Sequence, residues 1–235
     1  MEQNSCYIVC RGNDSKIHTY FSPIIETSRC EIAVVGLSTY YSYPNITDKN
    51  NKLDICDEKS HHKITLPKGC YEINDINKYI RKLFDWKEGY EVVKIGSDTV
   101  TLRTHISITN KAWHVIFPEE NSLGNILGFE SGDYAGNKTY ISQKIANILS
   151  VNNILVQCDV ISGSTINGKP APVIFNYSPN VQAGRKIVAE PVVPIYLPVT
   201  VDHIHELSVW ITDQDNNLLD LQKEDIVVTF HLRSR

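Results

Sequence analysis

Glu206-Leu-Ser-Val-Trp-Ile-Thr212 and Ile226-Val-Val-Thr-Phe-His-Leu232 carry the plainest structural signal in the 235-residue chain. In the first run Leu207, Val209 and Ile211 share one face, with Ser208, Trp210 and Thr212 on the other. In the second, Ile226, Val228, Phe230 and Leu232 lie opposite Val227, Thr229 and His231. Both are half-buried strands. Between them Asp213-Gln-Asp-Asn-Asn217 turns the chain, and Leu218 to Leu221 gives a short apolar return, so the segment reads as two strands joined by a polar hairpin turn. A final strand this well patterned leaves an unpaired edge if it is lost, which points to a closed or sandwiched all-β body.

The rest of the chain repeats the pattern. Cys6 to Cys10 and Ile17 to Phe21 are short β-prone runs around a turn-forming cluster, expected as a peripheral hairpin within an arm over residues 1–29. Cys30 to Tyr43 is a long strand candidate with apolar residues on both faces, hence buried on both sides. Residues 45–63 read as an exposed polar excursion. Ile73, Ile76, Ile80 and Leu83 recur at spacings of three and four, the stripe of one amphipathic helix. Short strands are expected at Val92 to Ile95, Val100 to Thr104, Ile106 to Ile108 and Trp113 to Phe117. A helical turn ending at Gly128 follows. Further strands are expected at Ile154 to Ile161, Val173 to Tyr177, Arg185 to Val188 and Val193 to Val199, with prolines 170, 172, 179, 191, 194 and 198 suiting edges and loops. Many strands, one helix, long connections and no βαβ repetition predict an all-β, single jelly-roll sandwich over residues 30–235.

Composition narrows the function. A hydrophobic fraction of 42% with 21% charged residues excludes a disordered chain. A net charge of −4 without a basic run argues against direct nucleic-acid binding. No apolar run approaches the roughly 18 residues that span a bilayer. The start of the chain lacks the pattern of a secretion signal, so the six cysteines are expected as reduced thiols. The sequons at Asn45 and Asn137 are accordingly expected to be unused. The product reads as soluble and intracellular.

Candidate chemistry is sparse. Asp213, Asp215, Asn217, Leu219 and Glu224 occupy positions one, three, five, seven and twelve of a calcium loop. Leu218 stands where the sharp turn needs glycine, and the flanks are strands, so a turn is the favoured reading over a calcium site. His203 and His205 share one face of a strand without an identifiable third metal ligand. Cys56, Asp57, Glu58, His61 and His62 form a loose cluster without tight cysteine spacing. Gly132 to Lys138 has part of a phosphate-loop pattern but lacks the motif's spacing and its strand and helix context. Tyr40, Tyr41 and Tyr43 suit a packing or subunit-contact surface better than a stacking platform. No serine-nucleophile elbow, zinc-protease helix or paired Cys-x-x-Cys is present. No catalytic residue, cofactor or firm metal ligand is assigned.

At Ile154 to Val160, Ser162-Gly-Ser164, Asn167-Gly-Lys-Pro170, Ile195-Tyr-Leu-Pro-Val199 and Val209 to Arg233 the chain resembles the single jelly-roll minor capsid, or penton-type, proteins of Polinton/Maverick elements and adintoviruses. That family is distantly related to adenovirus penton base. Leu37 to Ile46, Ile64 to Pro67 and Leu123 to Phe129 fit the same pattern more loosely. The resemblance implies a virion structural protein that assembles as a homopentamer at capsid fivefold positions, among double jelly-roll major capsid proteins. It carries no catalytic residues over to this chain, and no Arg-Gly-Asp tripeptide is present. The alternatives are a ligand- or calcium-binding sandwich of lectin type, using Asp213, Asp215 and Asn217, and a cupin-like metalloenzyme using His203 and His205.

Overall fold

A computed structural model describes residues 5–235. In chain order its elements are β1 (Ser5–Gly12), β2 (Lys16–Glu26), β3 (Cys30–Tyr40), β4 (Lys52–Cys56), β5 (His61–Thr65), α1 (Ile73–Leu83), β6 (Val93–Ser97), β7 (Thr104–Ile108) and β8 (His114–Phe117). There follow α2 (Gly124–Leu127), β9 (Gly132–Ala135), β10 (Lys138–Ile141), β11 (Ile154–Cys158), β12 (Thr165–Ile166), β13 (Lys169–Pro170), β14 (Val173–Tyr177), β15 (Lys186–Ala189), β16 (Leu197–Pro198), β17 (His203–Thr212) and β18 (Ile226–Ser234). They fall into two compact units, residues 5–43 with 151–235, and residues 44–150.

The first unit is a jelly roll. One sheet runs β1-β18-β3-β15, with β16 also on β3, and the other runs β14-β11-β17-β2. Every pairing is antiparallel. Apart from the β11-to-β14 step, successive long strands alternate between the two sheets, which is the wrapping of an eight-stranded double Greek key. Leu207, Val209 and Ile211 from β17 meet Ile226, Val228, Phe230 and Leu232 from β18 in one core, all of them buried.

The expected terminal hairpin is therefore corrected. β17 pairs with β11 and β2, and β18 pairs with β1 and β3, so the two strands face each other across the sandwich. Alternation in each run records a shared core, and it does not record mutual pairing. The expected arm over residues 1–29 is corrected too, for residues 5–26. β1 lies along β18 from Ser5↔Arg233 to Gly12↔Ile226, and β2 lies along β17. Ile8, Cys10 and Ile17 are buried in the same core, so both strands are members of the sandwich. Residues 1–4 of that arm lie outside the described residues.

Nor is the body from residue 30 to residue 235 continuous. Residues 44–150 interrupt it between β3 and β11 and build a core of their own. The polar stretch 45–63 conceals β4 and the start of β5, with Leu53 and Ile55 buried between more exposed neighbours, and Ile64 just beyond it is buried in the same core. The sheets here are β5-β4-β8-β9 and β10-β7-β6. Helix α1 forms as its periodicity predicts. Asp75 accepts the Glu72 amide at 3.2 Å, Arg81 and Lys82 sit in the last turn, and Ile76 and Ile80 are buried. Leu83, the expected fourth member of the stripe, is exposed. Val100 also stays in a turn rather than a strand, and is almost fully exposed. Phe117, Phe129, Tyr134 and Tyr140 pack ring against ring at centroid distances of 5.2 to 5.7 Å.

Candidate functional site

The acidic segment after β17 is an Asx-stabilised turn. Asp213 Oδ1 accepts the amides of Asp215 at 2.9 Å and Asn217 at 2.8 Å, and its Oδ2 accepts the Asn217 side-chain amide at 3.1 Å. Both carboxylate oxygens thus serve the turn itself. Asn216 adopts a positive φ of 66°, and its Oδ1 accepts a hydrogen bond from Gln157 Nε2 at 2.6 Å. Beyond it Leu219 and Leu221 are buried while Glu224 is exposed, so the chain descends into the core between Asn217 and Glu224.

The histidines and cysteines separate similarly. His203 and His205 are both exposed near the start of β17, where the pairing with β2 slips at a bulge. Within the loose cluster, Asp57 Oδ1 accepts the amides of Lys59 and Ser60, each at 2.7 Å. His62 packs edge-on to Phe84 at 5.0 Å. Cys56 lies in register between His61 on β5 and His114 on β8. His61 Nε2 is 2.8 Å from Asp54, and His114 Nδ1 is 3.2 Å from Asp133. Burial, then the charges of Asp54, Asp133 and Asp57, push the Cys56 thiol above its ordinary range. His114 and Asp133 join this neighbourhood only through sheet pairing, which spacing does not reveal. Among the described residues no three or more His, Cys, Asp or Glu side chains are placed to hold a metal.

One arrangement resembles a hydrolase site in composition. His18 Nδ1 lies 2.8 Å from Glu206 Oε1 and 3.2 Å from Ser208 Oγ. A proton relay needs acid and nucleophile on opposite ring nitrogens, whereas here both share Nδ1. Gly132 to Lys138 is likewise no phosphate cradle. It comprises β9, a turn and the start of β10, with no helix after it. Of Tyr40, Tyr41 and Tyr43, the last two are buried with ring centroids 4.2 Å apart and Tyr40 is exposed. Packing, of the two roles expected for this cluster, is the one that Tyr41 and Tyr43 take.

What the jelly-roll unit does present is apolar surface. Tyr7 and Val9 point outward from β1, and Val188 from β15. After β15, Pro191-Val-Val-Pro-Ile195 leaves Val192 fully exposed, Val193 74% exposed and Ile195 72% exposed. Prolines 191 and 194 restrict the backbone and remove donors, which accounts for the absence of the expected strand over 193–199 apart from Leu197–Pro198. The run is anchored just beyond. Tyr196 Oη and His231 Nδ1 are 2.7 Å apart, the Arg233 guanidinium lies 3.5 Å from the centre of the Tyr196 ring, and Arg233 Nε donates to Glu31 at 2.7 Å. Apolar surface held out in this way is a feature of contact sites rather than of solvated loops.

No protein-family model matches the chain. No curated protein matches it. Among solved structures, the crystal structure of a selenomethionine-labelled mavirus penton protein aligns over 100% of both chains, with a TM-score of 0.51 and 12% sequence identity. Identity this low shows a shared fold, the jelly-roll architecture derived above. No helix among the described residues is long and apolar enough to cross a membrane.

Proposed function

We propose that this chain is a penton-type minor capsid subunit, a structural protein of a virion that assembles with copies of itself. The observation that carries the reading is the full-length likeness to the mavirus penton protein, which includes the jelly roll and spans the inserted unit as well. The apolar run at Val192, Val193 and Ile195 supports it, because a subunit that closes into a ring must bury part of its surface against a neighbour. In this reading the assembly is a homopentamer at capsid fivefold positions, beside a double jelly-roll major capsid protein. The work it performs is shape and contact, with no reaction and no cofactor.

Size-exclusion chromatography with light-scattering mass tests this. The expected species has about five times the 26.6 kDa chain mass, and Val192→Asp with Ile195→Asp shifts it toward the monomer. A strict monomer at every concentration, salt and pH overturns the proposal.

A further inference from the structure

A ring is one contact repeated until it closes, and that contact joins two different surfaces of the chain. The jelly-roll sheet has two edges, β1 and β15. Edge strands ordinarily carry a device against further pairing, such as proline, charge, a bulge or shortness. In the other sheet, β2 has Lys16, Pro23 and Glu26 and a slipped register against β17, and β14 lies between Pro172 and Pro179 and meets a slip in β11. β15 is four residues long and opens on Lys186. β1 is unprotected. It keeps an unbroken register with β18 over eight residues, and its one charge, Arg11 near the end, is held by Asp225 at 2.7 Å. Residues 6–10 carry no charge, yet Tyr7 is 70% exposed and Val9 58%.

Register fixes what stands at the same height on the opposite edge. Ala189 is level with Cys10, through Leu37 on β3 and Val228 on β18. Leu197 is level with Cys6, through Ile32 and Leu232. Residues 190–196 therefore pass the height that Tyr7, Ile8 and Val9 occupy on β1. They cover a span that β3 covers with residues 33–36 alone, so the surplus bows into solvent and carries the exposed Val192, Val193 and Ile195 with it. β1 and β3 run one way along the sheet and β18 and β15 the other, since each neighbouring pair is antiparallel. Rotation about an axis along the strands keeps every height, and it sets β15 of one copy antiparallel to β1 of the next. The uncharged run 191–195 then meets the uncharged, unprotected strand, and neither stretch brings an ion to be stripped of water. We infer that the contact between copies is head to tail, with the run 191–195 of one copy seated on Tyr7 and Val9 of the next, an assignment that rests on the assembly reading above.

Mixing two broken variants of the whole chain tests this, with light-scattering mass at high concentration as the readout. Val9→Asp spoils the strand surface, and Val192→Asp with Ile195→Asp spoils the run. Each alone should be a monomer. Because the contact has two unlike halves, the first variant keeps a sound run and the second keeps a sound strand. Their mixture should therefore give a 1:1 dimer of about twice the 26.6 kDa chain mass, and nothing larger. Slow labelling of the buried Cys10 thiol shows that β1 stays in place in Val9→Asp, and where labelling is fast Tyr7→Lys replaces it. A parent chain that is monomeric throughout sinks both the assembly reading and this contact. A parent that assembles, with assembly surviving the strand variant, or with a mixture that stays monomeric or returns to full size, overturns the head-to-tail contact and leaves the assembly reading standing.

Discussion

The two units reach a packed core by opposite routes. In the jelly-roll unit the core is woven from both ends of the chain, since β1 and β3 both lie on β18, and β2 lies on β17. In the inserted unit pairing is mostly between neighbours in sequence, β4 with β5, β6 with β7, and β8 with β9, beside one local helix. The first therefore depends on its last strand and the second does not. Contacts distant in sequence also require more loop closure before they contribute, so the jelly roll is the slower unit to form.

Removing residues 226–235 is the severest test of that difference. It strips β1 and β3 of their common partner and removes Phe230 from the core, and the jelly-roll unit should lose its cooperative transition. Thiol labelling reports on it directly, because Cys10, Cys30 and Cys158 are all buried in this unit. Burial pushes the Cys158 thiol up to about 12, so at pH 8 it should resist labelling until the unit unfolds. Protection of these thiols after truncation would refute the woven arrangement.

Single core substitutions come next. Phe230→Ala and Phe117→Ala each empty a fully buried site, and each should destabilise its own unit by about 3–5 kcal/mol in denaturant titrations. The first should advance Cys158 labelling and the second should leave it in place, because the two phenylalanines belong to different cores. Equal effects of both on Cys158 would mean that the units unfold as one. Gly128→Ala should cost about 1–3 kcal/mol in the inserted unit, since Gly128 has φ 79° and an added Cβ would sit 2.2 Å from the Lys144 carbonyl oxygen.

How much of this could be read from residues depends on the distance over which a signal acts. Leu207 to Ile211 and Ile226 to Leu232 announced two buried faces, and Ile76 and Ile80 announced a helix, because period is local. Partner choice is not local. Nothing in β17 or β18 says that they lie in opposite sheets, and Cys6 to Cys10 reads as a hairpin arm until β18 is placed beside it. Leu53 and Ile55 were hidden by the Asn, Asp and Lys residues around them, although their alternation was present. The acidic turn was legible, as Asp213 followed by Asn217 is Asx-turn chemistry and Leu218 is no calcium-loop glycine. The shared height of residues 190–196 and of Tyr7 and Val9 was not, because the register of β15, β3, β18 and β1 together sets it.

The smaller effects concern turns and caps. Asp213→Ala removes the acceptor of three turn donors and should lower stability by about 1 kcal/mol, and calcium should not raise the melting temperature of the parent protein. A calcium-dependent rise that Asp213→Asn abolishes would restore the metal reading. Smallest is the pH response of Asp75, whose carboxyl the Lys78 ammonium and the Glu72 amide hold below its ordinary value. Its contribution is full above about pH 4 and is lost as pH falls through the lowered folded value. Asp75→Asn should therefore flatten the acid limb of the stability curve slightly, and leave stability below that range unchanged.

The assembly proposal rests on a shared fold and an apolar run, and electron microscopy of the purified chain at high concentration puts it to a visible test. Rings with fivefold symmetry are the predicted result, dispersed by Val192→Asp with Ile195→Asp. Only single subunits, or rings of another symmetry, would contradict it.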